Sequence, residues 1–207
     1  LRIIKLRSKE ALWKLHKDFP FPTTTSGVKA IVGPSRYKRV KLVEKEIFPG
    51  AVVLDAGCNI GEIGKYLIFK GCIVYGVDLN PNFVKTAKSN GVFATVCPIE
   101  EITYPNNFFD VCFISEVLEH LYNPEEGVAQ LYRVLKPGGK LVGTVPIPDH
   151  KFSSHSKYLW IWHHHNFTVA SLRSLLEKFF KPKDILIKKH RAEKDESRLF
   201  FKGIKDA

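Results

Sequence analysis

From about residue 36 onward, apolar runs of five to seven residues alternate with stretches whose apolar positions recur every three to four residues. AVVLD (51–55), CIVYGVD (72–78), VFATV (92–96), FFDVCFI (108–114) and KLVGTV (140–145) read as buried strands, the last entered through the Pro137-Gly138-Gly139 turn. Helical patterns lie between them. Ser35 precedes RYKRVKLVEKEIF, which carries Tyr37, Val40, Val43 and Ile47 on one face and is ended by Pro49-Gly50. A second helix runs through Tyr66, Leu67 and Phe69 to Gly71, and a third is opened by Pro81 and reaches Gly91. Asn123-Pro124 starts a fourth, with Val128, Leu131, Val134 and Leu135 on one face. Thr168 caps a fifth, whose apolar face is Val169, Leu172, Leu175, Leu176 and Phe179. Two final runs, DILIKKH and RLFFKGI, have no helix between them and predict an antiparallel hairpin. Strands apolar on both faces, joined by amphipathic helices, predict a parallel sheet covered on both sides. Right-handed crossovers make that an α/β, doubly wound domain. It is expected over 35–207, behind a basic lead-in at 1–34 that ends in the turn-rich FPFPTTTSG and VGPS.

Composition narrows the class without naming a function. The chain has 207 residues, 44% hydrophobic and 26% charged, which suits one globular domain and excludes a collagen, a disordered tail or a disulfide scaffold. No apolar stretch is long enough to predict a transmembrane helix, and charges interrupt the N-terminal apolar runs, unlike a secretory signal. Cys58, Cys72, Cys97 and Cys112 lack C-x-x-C spacing and read as small buried hydrophobes in a reducing compartment, so a cytoplasmic protein is expected. The formal charge of +11 is unevenly placed: Lys and Arg outnumber Asp and Glu 12 to 4 in residues 1–50 and 13 to 6 in 151–207, but trail 7 to 11 between. Basic flanks could meet RNA or a membrane surface. The alternative is a solvated surface, because Lys outnumbers Arg 24 to 8.

Candidate chemistry sits where strands end. The first strand runs into D55-A-G-C-N-I-G61, where Gly57 and Gly61 let the backbone approach a ligand at a helix N-terminus. The second ends in Asp78, a carboxylate suited to both hydroxyls of a ribose. A dinucleotide turn needs G-x-G-x-x-G, but Asn59 and Glu62 occupy its second and third glycine positions. Asp55 would also repel a pyrophosphate and would favour an ammonium. S-adenosylmethionine (SAM), with an ammonium, a sulfonium and a ribose but no phosphate, fits these residues better than NAD.

The chain resembles the class I SAM-dependent methyltransferases over roughly 35–205. VVLDAGCNIG looks like that family's first motif, YGVDLNP its second, FDVCFISEVLEHL its fourth-strand segment, LYRVLKPGGKLVGTVP its fifth-strand approach and HNFTVASLRSLLEKFF its late helix start. The resemblance implies a Rossmann-like seven-stranded sheet ending in the hairpin. It implies further that Asp55 and Gly57 hold the methionine end of SAM, with Cys58, Asn59, Gly61 and Ser115 also binding the cofactor. Asp78 would bind the ribose, Leu79 would pack on the adenine and Ile99 would offer its backbone to the adenine edge. Arg36-Tyr37 would lie near the cofactor carboxylate. Asn59 departs from the usual Gly, and Pro98 stands where many relatives have an adenine-binding Asp.

Glu116-Val-Leu-Glu119-His120 is a sharper clue. On a helical turn its spacing would put Glu116, Glu119 and His120 on one face, a donor set for Mg²⁺ or Mn²⁺. The segment resembles the Glu-x-x-Glu-His site of ubiquinone-biosynthesis O-methyltransferases. Small-RNA 2′-O-methyltransferases add a later His, near where His163, His164 and His165 stand. The alternative is a metal-free role for His120 as a substrate-side base, with Glu116 beside it. KYLWIWHHH, with Trp160 and Trp162, is either an acceptor-covering lid or a small packed helix, and His150 and His155 are expected on exposed loops. Three readings follow: a methyltransferase for a small-molecule acceptor, a metal-assisted RNA methyltransferase, and a non-catalytic SAM-binding subunit. Nothing in the sequence bears on oligomeric state.

Overall fold

The computed structural model describes residues 10, 40–41, 43–147, 163–190 and 197–207. Seven strands form one sheet: β1 (Val52–Ala56), β2 (Ile73–Asp78), β3 (Phe93–Val96), β4 (Phe109–Ser115), β5 (Leu135–Pro146), β6 (Ile185–His190) and β7 (Arg198–Ile204). Their order is β3-β2-β1-β4-β5-β7-β6. The first five are mutually parallel; β7 runs antiparallel between β5 and β6. Among the described residues, the α-helices with both ends placed are α1 (Glu62–Phe69), α2 (Pro81–Ser89), α3 (Pro124–Val134) and α4 (Val169–Leu176).

Side chains alternate between the two faces of the sheet because successive residues of a strand point oppositely. Val53, Val111, Phe113 and Val142 join Leu67 of α1 and Val84 and Ala87 of α2 in one buried cluster. Leu54, Cys112, Ile114 and Leu141 join Val128, Leu131 and Val134 of α3 and Leu172 and Leu176 of α4 in the other. This is the expected doubly wound α/β architecture. Emptying such a site by Phe113→Ala would cost about 3–5 kcal/mol.

Local chemistry starts the helices. The Asn80 side chain accepts from the N–H groups of Asn82 and Phe83, and Asn123 from Glu125 and Glu126, each followed by proline. Thr168 and Ser171 form a reciprocal capping box on α4. All four cysteines are free thiols. No helix of the described residues is long and apolar enough to cross a membrane. The lead-in at 1–34, apart from residue 10, lies outside the described residues, as do Arg36, Tyr37, His150, His155, Trp160 and Trp162.

The chain winds from β1 to β2 and β3 on one side, then returns to β4 and β5 on the other. The crevice beyond the carboxyl ends of β1 and β4 is therefore the switch point at which an open α/β sheet binds ligands.

Candidate cofactor and acceptor site

A cavity of about 270 Å³ occupies that crevice. Asp55, Gly57, Cys58, Asn59, Asp78, Leu79, Ile99, Ser115, Glu116 and His120 all line it, together with Val117 and Leu121. Residues from four separated segments thus meet at one place.

The loop after β1 is shaped by β2. The backbone N–H groups of Gly57 and Cys58 both donate to the Val77 carbonyl, at 2.8 and 2.9 Å. The Asp78 carboxylate accepts from Asn59 N at one oxygen and from Asn80 N at the other, both at 2.9 Å. Burial pushes the Asp78 pKa up, against these backbone bonds and one from Leu79. Gly57 has φ +80, and a Cβ there would lie 2.5 Å from a Val117 methyl. Asn59 accepts a φ of 50 without being glycine, and its side chain receives Ile60 N at 2.7 Å.

Gly61 departs from expectation. It does not line the cavity; it starts α1 with φ +76, and a Cβ there would strike Ala87 Cα at 2.9 Å. Its glycine serves the close approach of α1 to α2. Cys58 lines the cavity as a thiol held protonated, pushed up by burial and by the charges of Asp55 and Asp78.

The expected grouping of Glu116, Glu119 and His120 on one helical face does not form. Glu116 adopts the left-handed conformation with φ 57, and only Leu118–His120 makes a 3₁₀ turn. The break has a cause: Glu116 N donates to the Thr144 carbonyl, Thr144 Oγ1 donates to Glu116 Oε1 at 2.8 Å, and Arg198 Nε lies 3.1 Å from Glu116 Oε2. Because the Thr144 proton goes to Glu116, the 2.8 Å contact between Ser115 and Thr144 hydroxyls has Ser115 as donor.

His163 takes the place of Glu116 in the cluster. Ligand atoms of Glu119, His120 and His163 lie within 4.8 Å of one another, and the two rings meet edge to face at 4.9 Å. The N–H groups of His164 and His165 both donate to the Glu119 carbonyl, and His165 Nε2 lies 3.0 Å from the Leu121 carbonyl, which requires a proton on that nitrogen. Burial holds the His163 pKa below its ordinary value against the pull of Glu116, and also lowers that of His164. Thr144 and Arg198 were not visible as site residues in the sequence. The one available signal for Arg198 is an Arg opening the final strand of a Lys-rich chain.

The sheet order and the cavity at its switch point define a Rossmann-like domain. Residues 54–143 match the protein-family model described as "Methyltransferase domain". The chain is 33% identical over 110 residues to a ubiquinone biosynthesis O-methyltransferase of Coxiella burnetii, covering 50% of this chain and 47% of that protein. It is 32% identical over 117 residues to a ubiquinone/menaquinone biosynthesis C-methyltransferase of Hydrogenovibrio crunogenus, covering 51% and 46%. The chain thus spans about half the length of these curated relatives. Among solved structures, phosphoethanolamine N-methyltransferase 2 of Haemonchus contortus in complex with S-adenosyl-L-methionine superposes with a TM-score of 0.71 at 18% identity, covering 86% of this chain and 56% of that one. Residues 54–143 are thus similar to a methyltransferase domain, and the chain shares the fold of that SAM-bound structure.

Proposed function

We propose that this protein transfers a methyl group from SAM to a small-molecule acceptor, the cavity at the β1/β4 switch point holding both. The observation that carries the reading is the joint presence there of Asp78, Asp55 and the left-handed Gly57. Asp78 accepts the ribose hydroxyls, Leu79 packs on the adenine and the Ile99 backbone meets its edge. Asp55 takes the ammonium of the methionine end, with Cys58, Asn59 and Ser115 around it. The donor set suits this group: carboxylates match its positive charges, and the glycine leaves backbone room that any Cβ would fill. Bound SAM supplies a methyl already activated on a sulfonium, so the chain's task is to orient, to exclude water and, for a hydroxyl acceptor, to take a proton. His120 and Glu116, on the far wall, face the acceptor. The two quinone-pathway relatives support a small organic acceptor.

Metal assistance is a second reading, favoured by the Glu119, His120 and His163 cluster. Two imidazoles and one carboxylate suit Mn²⁺ better than Mg²⁺, which prefers oxygen donors. A cation on these three residues would orient an acceptor hydroxyl and lower its pKa. Glu116 would stay outside that set, tied to Thr144 and Arg198.

The test is incubation with SAM labelled on its methyl carbon and a fractionated extract plus Mn²⁺. Label in the organic-soluble fraction is expected; label in RNA would overturn the small-molecule acceptor, and SAM binding without transfer to any fraction would make the protein a non-catalytic subunit. Full activity in excess chelator would end the metal reading.

A further inference from the structure

In a parallel sheet only carboxyl ends of strands reach the ligand crevice. The antiparallel β7 is the exception, because its first residue lies beside the end of β5, where Arg198 pairs with Pro146. The neighbouring bond from Ile147 N to the Ser197 carbonyl, at 2.9 Å, carries that register past the strand end. Arg198 is thereby brought behind Glu116, which lines the cavity while Arg198 does not. Its side chain is 12% exposed and that of Glu116 is 20% exposed, so the ion pair is largely sheltered from solvent screening.

Glu116 is held from three directions. Its backbone is fixed in the left-handed region, its Oε1 receives the Thr144 hydroxyl, and its Oε2 faces Arg198. Thr144 is itself buried and fixed by Ser115. The Arg198 contact opposes rotation of the carboxylate out of this position.

We propose that Arg198 is a positioning residue for methyl transfer, acting through Glu116 by keeping its carboxylate oriented along the acceptor side of the cavity. The inference rests on the methyltransferase reading. As an acceptor takes up a methyl group, positive charge grows on the acceptor atom, and a carboxylate fixed beside it stabilises that charge without reorganising. Arg is suited to the task because its guanidinium is planar and always charged, whereas Lys offers a compact charge on a flexible stem.

The test combines Arg198→Ala, Arg198→Lys, Glu116→Ala and the double variant Arg198→Ala/Glu116→Ala. Arg198→Ala is expected to lower kcat on the order of 10- to 100-fold with SAM affinity unchanged, and Arg198→Lys to recover part of the loss. In the Glu116→Ala background, Arg198→Ala should cost nothing further, since its effect passes through the missing carboxylate. Equal losses in both backgrounds would overturn the proposal. A turnover-free arm uses protein labelled with ¹³C at glutamate carboxyls, the Glu116 signal being assigned by Glu116→Gln. Arg198→Ala should shift or broaden that signal; an unchanged signal would overturn the proposal whatever the activity. Should Arg198→Ala fail to fold, Arg198→Lys and Arg198→Gln carry the same readouts. A parent chain that binds SAM but methylates nothing would instead overturn the methyltransferase reading, leaving the carboxylate signal to judge the geometry separately.

Discussion

The carboxylate that closes β2 also builds the loop that follows β1: Asp78 Oδ2 accepts the backbone N–H of Asn59 at 2.9 Å. One side chain therefore serves the cavity wall and the loop beside it. Replacement by Ala would remove both, and hydrogen bonds to a charged acceptor are worth about 1.5–3 kcal/mol. Asp78→Ala is expected to weaken SAM binding by one to two orders of magnitude on that scale, measured by calorimetry. Unchanged affinity would falsify the assignment of this cavity. Because burial raises the Asp78 pKa, affinity should also decline as pH falls toward the carboxylate range, earlier than for an exposed Asp. Asp78→Asn should lack that decline.

Gly57 is a position where any side chain is strained. A β-carbon at its φ of +80 would meet Val117 Cγ2 at 2.5 Å. Gly57→Ala should cost roughly 1–2 kcal/mol for the backbone alone, and overpacking adds about 1–3 kcal/mol. Val117→Ala in the same chain should restore part of the stability, relieving the contact while leaving the backbone strain. Thermal unfolding of the two variants distinguishes the contributions; no recovery in the double variant would mean the contact is not the source.

Acid should weaken the fold through the residues that precede β1. The Glu44 carboxyl is held down at about 2 from an ordinary 4.5 by Lys41, Tyr66 and Lys70. Burial pushes Glu46 up, but Lys202 and Lys140 outweigh it and its pKa is also lowered. For a depressed carboxyl, the stabilisation is complete above the unfolded-state pKa and is lost as pH falls toward the folded one. The unfolding midpoint should therefore drop between about pH 5 and pH 2. Glu44→Gln should flatten part of that slope in denaturant titrations.

Lys205 closes the end of α3. Its ammonium donates to the carbonyls of Tyr132 and Leu135 at 2.9 and 2.8 Å and to Asn107 Oδ1 at 2.9 Å. Lys205→Met would keep most of the packing and leave those acceptors without their donor. The expected loss is about 2 kcal/mol, or a Tm drop of roughly 4–8 °C for a chain of this size. A midpoint within one degree of the parent would show that water replaces the ammonium freely.

The strands and helices were legible because their signals are local. Val53 and Phe113 share one face and Leu54 and Ile114 the other, as runs apolar throughout require in a sheet covered on both sides. Asn80, Asn123 and Thr168 cap helices with their own side chains. Asp55, Gly57 and Asp78 were also legible, since strand ends in this architecture converge on one crevice. The capping partner Ser171 and the packing role of Gly61 were not, because each depends on contacts the spacing leaves open.

The same division holds at the acceptor wall. The sequence by itself determined a doubly wound α/β domain with a ligand crevice beyond the ends of its first, second and fourth strands. Only the tertiary structure decided which groups stand together around Glu119 and His120. The helical spacing that joins Glu116 to them assumes a continuous helix, a purely local rule. Long-range contacts override it, since Thr144 from β5 and Arg198 from β7 draw Glu116 into a left-handed turn. His163 fills the place, brought there by backbone bonds from His164 and His165 to the Glu119 carbonyl. Local propensity amounts to tenths of a kcal/mol per residue, and a sheltered ion pair with β7 plus two hydrogen bonds with Thr144 of β5 outweighs it.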